Sequence, residues 1–334
     1  MIQTAIIGCG AIHTMHTGAI ADLPDVQIAA VCDTKADRAQ RTAEELGCRW
    51  YTDYTKMLDE EQLDAVHICT PHWLHGEMAL EALRRGIRVL VEKPMAVTVE
   101  QARAMIAEDE RQGSGKLCVI FQNRYNAASR MLKEVVGGGE YGALQCLRGI
   151  VTWIRGEAYY SDDWHGKKAL ECGGVMINQA IHTLDLVQWI GGGARTVTGA
   201  VSTDALKGTI EVEDSAHLRM ELKSGASAVF YATVAHAVDS PVEIDAVLER
   251  GHFLLRGERL FYVDEGFTAL CEPGGSPVGL RDYWGTGHKV QIADFYACIR
   301  EGRPFAIDGT QGIEAVKLVC GLYESSATGK TVVL

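Results

Sequence analysis

Residues 4–13 read Thr4-Ala5-Ile6-Ile7-Gly8-Cys9-Gly10-Ala11-Ile12-His13, a short apolar run that breaks at two closely spaced glycines and passes into a helical pattern through Ala21. A strand, a glycine turn and a helix start, in that order, form the opening of a βαβ unit that binds a dinucleotide. Gly8 permits the tight turn. Gly10 lets backbone amides, with those of Ala11 and Ile12, approach a pyrophosphate that the helix N-terminus then stabilises. His13 stands where the third glycine of this fingerprint is expected, which relaxes the demand for close helix–sheet packing. An imperfect fingerprint is weak by itself, and its weight comes from the segments around it.

A second apolar run, 26–32, ends at Asp33, close to the roughly 20-residue spacing that follows the glycines in dinucleotide-binding units. A carboxylate there accepts hydrogen bonds from both adenosine ribose hydroxyls and repels a 2′-phosphate, which favours NAD. Lys35 and Arg38 lie near enough to keep NADP open as the alternative. Asp33 equally suits the N-cap of a helix over 35–46. Apolar strands at 65–69, 88–91 and 117–121 then alternate with amphipathic helices at 76–85 and 98–112, which predicts an α/β, doubly wound parallel sheet.

Ligands of such sheets bind at the carboxyl ends of the strands. Thr70-Pro71-His72-Trp73-Leu74-His75 leaves the third strand there, so Thr70 and Pro71 line the crevice, with Pro71 as a rigid wall. His75 either touches the ligand or opens the next helix. Val91-Glu92-Lys93-Pro94 leaves the following strand and brings Glu92 and an ammonium to the rim. Lys93 is either a surface lysine in a turn or the group that holds and polarises a substrate hydroxyl facing a nicotinamide.

The 334 residues suit two domains, divided as 1–122 and 123–334. A formal charge of −12 works against binding a phosphate backbone, so nucleic acid is not expected. No run of about 18 apolar residues suggests a membrane span. The first residues read as a strand, not a signal peptide. Ten cysteines include no Cys-x-x-Cys pair. Cys32, Cys69, Cys118, Cys146 and Cys320 sit in apolar runs and read as small buried hydrophobes in a reducing cytoplasm. The pairs His13/His16 and His72/His75 have zinc-like spacing but no neighbouring thiols, and no metal is expected.

Beyond residue 122, Gln122-Asn123-Arg124-Tyr125-Asn126 leads into a helix over 127–136. Arg124 and Asn126 either hold substrate hydroxyls or form a capped hinge. A glycine triplet at 137–139 precedes a long strand, 143–154. Segment 155–172 carries Tyr159, Tyr160, Trp164, His165 and Lys167 without clean periodicity. Aromatic faces with interspersed donors suit a sugar, and Tyr160 and Trp164 are the candidate contacts. In 173–189, Asn178, His182 and Asp185 stand at i, i+4 and i+7, one face of a helix. Short β-rich segments follow at 196–201, 216–222, 226–233, 242–248, 252–255 and 259–263. A sheet this broad offers a face for subunit pairing. The loop Tyr283-Trp284-Gly285-Thr286-Gly287-His288 precedes a helix over 290–300, and a further helix spans 311–325.

Gly8-Cys9-Gly10, Cys69-Thr70-Pro71 with His75, Glu92-Lys93-Pro94 and Gly173-Gly174-Val175-Met176-Ile177-Asn178-Gln179-Ala180-Ile181-His182-Thr183-Leu184-Asp185 occur in one chain and in this order. Together they resemble the glucose–fructose oxidoreductase/inositol dehydrogenase (Gfo/Idh/MocA) family over essentially the whole length. The resemblance implies a Rossmann domain followed by an α/β domain with a large, mostly antiparallel open sheet. It implies NAD(P)-dependent hydride transfer at a secondary carbinol of a sugar, inositol or glycoside, in a homodimer or homotetramer. It also implies that the loop ending at His288 approaches the substrate. Three positions depart from the pattern: His13, His72 where Asn often follows Thr-Pro, and Asn178 where many inositol dehydrogenases carry Asp.

Oxidation of a carbinol needs a base within hydrogen-bond reach of the hydroxyl. His182, with an intrinsic pKa near neutrality, is the candidate proton acceptor, and Lys93 the group that stabilises the alkoxide. Asn178 or Asp185 fixes the imidazole, and Asp185 is also a candidate substrate contact. Lys93 as the proton shuttle is the alternative. An NAD-recycling glycosidase or epimerase that uses transient oxidation is a second reading of the same residues. A non-catalytic NAD-binding regulator is a third, and its mark would be loss of the Lys/His pair that this chain keeps.

Overall fold

The computed structural model describes residues 1–272 and 287–334, and the chain falls into two compact units. One comprises Met1–Ile120 with His288–Ile313, the other Phe121–Gly287 with Glu314–Leu334. The sequence places a single boundary between 122 and 123. The chain instead passes between the units three times, because the segment 288–313 returns to the first.

In the first unit strands and helices alternate: β1 (Ile2–Ile7), α1 (His13–Ala21), β2 (Val26–Cys32), α2 (Ala36–Leu46), β3 (Arg49–Tyr51), α3 (Tyr54–Glu60), β4 (Ala65–Ile68), α4 (His75–Arg84), β5 (Arg88–Val91), α5 (Val99–Arg111) and β6 (Leu117–Val119). All strand pairs are parallel, in the order β3-β2-β1-β4-β5-β6. The strand order reverses between β1 and β4, and a doubly wound sheet binds its ligand at such a point. The strands are mostly apolar because helices cover both faces, and Ile6, Val31, Ala65 and Leu90 are buried in one core. Local signals set the helix starts. Thr98 Oγ1 accepts the Gln101 amide at 3.2 Å to cap α5, and Asp53 accepts the Thr55 and Lys56 amides to cap α3.

β3 and α3 are absent from the sequence reading. β3 is a three-residue edge strand whose Trp50 is 45% exposed, and α3 buries only Met57 and Leu58, so neither shows a periodic apolar face.

The second unit holds α6 (Ala127–Gly137), β7 (Leu144–Thr152), α7 (Lys168–Glu171), α8 (Ile181–Ile190), β8 (Ala194–Ser202), β9 (Ser215–Leu222), β10 (Ser227–Thr233), β11 (Glu243–Leu248), β12 (Gly251–Arg256), β13 (Arg259–Val263) and β14 (Phe267–Cys271). After α9 (Gly287–Glu301), α10 (Gly309–Thr328) leads to β15 (Val332–Val333). The nine strands form one sheet, β14-β13-β12-β11-β7-β10-β9-β8-β15, antiparallel except where β7 meets β10. Strict alternation sorts the faces. Ala228, Phe230 and Ala232 of β10 point inward, whereas Val229 and Tyr231 point to the open face. α8 packs against β7, where an added Cβ on Gly149 would press on Val187 of α8 and Phe230 at less than 3 Å.

All ten cysteines are free thiols. Cys32, Cys69 and Cys118 are buried as expected, but Cys146 lies exposed on the open face of β7 and Cys320 is half-buried. Among the described residues no helix is long and apolar enough to cross a membrane.

Candidate active site

The glycine turn after β1 gives its two glycines different jobs. Gly8 has φ +96°, and an added Cβ would stand 2.5 Å from the Cys69 carbonyl oxygen at the end of β4, so the protein itself demands glycine there. At Gly10 an added Cβ would meet nothing within 4 Å, and φ lies outside the left-handed region. No contact among the described residues explains that glycine. The missing methyl group leaves open the space in front of the turn, which fits a pyrophosphate. α1 begins without a side-chain cap, although its His13 and Met15 amides already donate to the Gly10 and Ile12 carbonyl oxygens. His13 does not fill this space with a free ring, because its Nδ1 bonds back to the Gly10 carbonyl oxygen.

Asp33 is tied into the same turn. Its Oδ2 accepts the Cys9 amide at 3.0 Å, its Oδ1 accepts the Lys35 amide at 2.9 Å, and Arg38 Nη1 lies 3.4 Å away. The N-cap position of α2 belongs to Lys35, so the capping role considered for Asp33 does not hold. Its carboxylate instead joins the glycine turn to the start of α2.

At the carboxyl end of β4, Thr70 and Pro71 are half-buried. His75 is fully buried, and both ring nitrogens meet main-chain carbonyls, Nε2 that of Thr70 and Nδ1 that of Pro94, each at 2.7 Å. The expectation that His75 touches the cofactor is corrected accordingly: its ring ties two loops together. Burial is the larger effect on it and holds its pKa below the ordinary value, against the two carbonyls.

Lys93 follows β5 and is half-buried; its amide donates to Glu92 Oε2 at 3.2 Å. Glu92 is only 4% exposed, and its Oε1 accepts from His16 at 2.9 Å and His288 at 3.3 Å. Two expectations fall here. Glu92 does not present its carboxylate to a cofactor, and His288 does not present its ring to a substrate, because each is buried against the other. Residues 283–286 of the preceding loop lie outside the described residues.

In the second unit, α8 starts at Ile181, and 175–180 form turns. Asn178 therefore precedes the helix instead of sharing a helical face with His182, and its Nδ2 donates to Glu171 Oε1 at 2.6 Å and to the Tyr159 hydroxyl at 3.3 Å. Gln179 Nε2 donates to the same hydroxyl at 3.1 Å. Two amides thus saturate Tyr159 as an acceptor and leave its own proton to donate. Burial, helped by the Glu171 charge, pushes this phenol up to about 12, so it stays a donor at neutral pH. Glu171 is fully buried, its other oxygen accepting the Gly166 amide at 2.5 Å. His182 is half-buried on the first turn of α8 and meets Phe121 edge to face at 6.3 Å. The approach to α8 is fixed by Glu213, which accepts the Gly174 amide at 2.9 Å, the Met176 amide at 3.1 Å and the Tyr323 hydroxyl at 2.9 Å.

The structure corrects three further candidates. Arg124 and Asp185 form a buried bidentate ion pair, Nε to Oδ2 at 2.7 Å and Nη2 to Oδ1 at 2.6 Å, so neither is offered to a substrate. Gln188 adds a third bond to Asp185 at 3.1 Å. Tyr160 is buried against Ile210 and Val212. Asn126 remains a candidate. Its Oδ1, with Gln122 Oε1 and Asn123 Oδ1, is buried without a hydrogen-bond partner among the described residues. Gln179 Oε1 is in the same position. Buried acceptors of this kind call for a donor, whether an ordered water or a ligand hydroxyl. Trp164 is half-buried with its ring 3.8 Å from that of His165, in a loop whose Trp164 and His165 amides bond Asp162. Tyr159, Glu171 and Gln179 are the residues sequence reasoning missed. The signal for Gln179 was its place inside the quoted 173–185 motif, and for Tyr159 its place in the aromatic segment.

Residues 2–120 match the oxidoreductase family GFO_IDH_MocA with its NAD-binding Rossmann fold, and residues 129–254 match the GFO/IDH/MocA C-terminal domain. The chain is 32% identical to D-glucoside 3-dehydrogenase of Escherichia coli (strain K12), with 100% of this chain and 97% of that enzyme covered. It is 25% identical to scyllo-inositol 2-dehydrogenase (NAD(+)) of Bacillus subtilis (strain 168), covering 94% and 91%. Among solved structures, the WlbA dehydrogenase of Bordetella pertussis in complex with NADH and UDP-GlcNAcA superposes with a TM-score of 0.88 at 27% identity, covering 100% of this chain and 98% of that one.

Proposed function

Since this chain belongs to the Gfo/Idh/MocA oxidoreductase family, we propose that it is an NAD-dependent dehydrogenase that moves hydride between nicotinamide and a secondary carbinol of a sugar, inositol or glycoside. The observation that carries this reading is the glycine turn, where Gly10 is open and Asp33 is held beside it. Gly8, Gly10, Ala11, Ile12 and Asp33 would hold the dinucleotide, with Thr70 and Pro71 along the crevice. When bound, NAD supplies the hydride acceptor.

The chain's own task is the proton. His182 takes it from the substrate hydroxyl, and the Lys93 ammonium stabilises the oxygen as charge develops. Lys93 as the shuttle is the alternative within this mechanism. Asn126, Tyr159, Trp164 and Gln179 receive the remaining hydroxyls. Asn178 acts by holding Tyr159.

The test is a panel of scyllo-inositol, D-apiose and methyl D-glucosides followed by NADH formation with NAD and NADP. On the best substrate, Lys93→Ala and His182→Ala should each lower kcat by roughly 10²- to 10⁴-fold with NADH affinity kept. Wild-type turnover in either variant would remove that residue from the mechanism. Turnover of a glycoside without added NAD would point to the cofactor-recycling reading.

The open face of the large sheet, with Val229 and Tyr231 nearly half exposed beside Arg148 and Arg219, supports pairing with a second copy as a homodimer or homotetramer. Ten free thiols support a cytoplasmic location. Light scattering on the purified protein tests the first, and fractionation of the source cells tests the second.

A further inference from the structure

Behind Lys93 the first unit buries a string of polar side chains that the proposed reaction does not use. Tyr296 of α9 meets His67 Nε2 of β4 at 2.8 Å, His67 Nδ1 meets His16 Nδ1 of α1 at 2.7 Å, and His16 Nε2 meets Glu92 Oε1 at 2.9 Å. His288 of α9 closes on the same oxygen from the other side. His16, His67 and Tyr296 have no solvent exposure, and Glu92 and His288 have almost none.

Burial keeps both His16 and His67 below the ordinary imidazole pKa. Burial alone would raise the Glu92 carboxyl, but the bonds from His16 and His288 outweigh it and hold the group ionised. With His16 and His67 neutral, one proton assignment satisfies the chain. Tyr296 donates to His67 Nε2, His67 Nδ1–H donates to His16 Nδ1, and His16 Nε2–H donates to the carboxylate. A buried carboxylate costs stability compared with an apolar residue, so its placement calls for a return elsewhere.

That return is visible at Glu92 Oε2, which accepts the Lys93 amide. One residue further, the Pro94 carbonyl is held by His75. The backbone of Lys93 is therefore pinned on both sides, and the carboxylate that pins its amide is itself held by helices α1 and α9. We infer that His16 and His288 are positioning residues for Lys93, acting through Glu92. The inference rests on the reading of Lys93 as the group that stabilises the alkoxide.

The experiment compares His16→Ala, His288→Ala and His288→Gln, each alone and combined with Lys93→Ala, in the full-length enzyme. Turnover is measured on whichever of scyllo-inositol and methyl D-glucoside is oxidised faster, with NADH affinity read by fluorescence. A misplacement of about 1 Å at a reacting group can cost ~10²-fold, so each alanine variant should lose roughly 10- to 100-fold in kcat. KM and NADH affinity should stay within about threefold. His288→Gln keeps a donor near the position of Nε2 and should recover most of the loss. In the Lys93→Ala background the same histidine changes should lower kcat by less than about twofold, since residues acting through one group are not additive. Equal losses with and without Lys93 would overturn the inference, as would an unchanged kcat in the single variants. Stoichiometric zinc in the purified protein would also overturn it, because His16, Glu92 and His288 would then be ligands. Near-wild-type turnover of Lys93→Ala alone would instead strike the underlying reading of Lys93.

Discussion

Replacing each of the two turn glycines by alanine should produce opposite defects. In Gly8→Ala the new Cβ would sit 2.5 Å from the Cys69 oxygen, 2.7 Å from its carbonyl carbon and 3.0 Å from the Thr70 nitrogen, all backbone atoms that cannot swing aside. The positive φ adds about 1–2 kcal/mol and the overlap a further 1–3 kcal/mol, so the apo protein should lose about 2–5 kcal/mol. In Gly10→Ala no contact is made among the described residues, and apo stability should change by less than about 0.5 kcal/mol. If the pyrophosphate lies against that turn, however, the methyl group meets it, and an overpacking cost of about 1–3 kcal/mol weakens NAD by roughly 5- to 150-fold. Ligand-linked stabilisation makes this measurable. At NAD equal to 100 times the wild-type Kd, the wild type gains about 2.7 kcal/mol, a variant weakened tenfold about 1.4, and one weakened a hundredfold about 0.4. Thermal or urea unfolding with and without NAD reads both quantities from the same samples. Wild-type NAD affinity in Gly10→Ala would refute the assignment of the phosphate to this turn, and a strongly destabilised apo protein would refute the claim that the space there is open.

Asp33→Ala should weaken NAD at least about tenfold more than NADP, since one unit of discrimination costs only ~1.4 kcal/mol; equal loss for both cofactors would leave Asp33 only its bonds to Cys9 and Lys35. Asp185→Ala strands the buried Arg124 guanidinium and should cost about 3–5 kcal/mol, whereas Arg124→Met with Asp185→Leu should recover most of it; chemical denaturation checks both. Burial works to raise the Asp214 carboxyl, but the amides of Leu206, Asp204 and Ala205 hold it below the ordinary range. A lowered carboxyl contributes stability above its unfolded pKa of about 3.9 and loses it as pH falls through the folded value. Asp214→Asn should therefore be less stable than wild type near neutrality, with the two stability curves converging in acid; parallel curves would rule the carboxylate out.

Most of the parallel sheet was legible because its inner strands are buried on both faces and stand out as mostly apolar runs, and the second sheet because its strands alternate. The site was legible only as far as element ends. Sequence places Lys93 after β5, from where an apolar run stops, and His182 on a helix, although that helix begins only at Ile181. It does not show whether a polar side chain faces a ligand or another side chain, because the deciding partner is remote. Arg124 finds Asp185 61 residues away, and Glu92 finds His288 196 residues away. Both pairs read from sequence as ligand contacts, and both satisfy themselves. Asn178 failed for a local reason: the glycines at 173 and 174 delay the helix to Ile181, so the i, i+4 spacing does not imply a shared face.

Asn178 also answers the question its identity raises, namely what replaces the carboxylate often found at that position. Its amide nitrogen lies 2.6 Å from Glu171 Oε1, so a negative charge is already buried one bond further out. Asn178→Asp would not restore a missing function; it would set two carboxylates at hydrogen-bond distance, and such a pair retains one proton to higher pH. The variant should lose about 1–3 kcal/mol at neutral pH through the broken bond and the unpaired charge, regain stability as pH falls and the pair takes up its proton, and lose the Asn178 bond to Tyr159 along with kcat. Adding Glu171→Gln reverses the polarity, with the new amide donating to the new carboxylate, and should restore stability, although the Gly166 amide then competes for the one remaining acceptor oxygen. Denaturation between acid and neutral pH measures both variants. If Asn178→Asp alone matched wild type across that range, Glu171 would not be the charge this asparagine exists to satisfy.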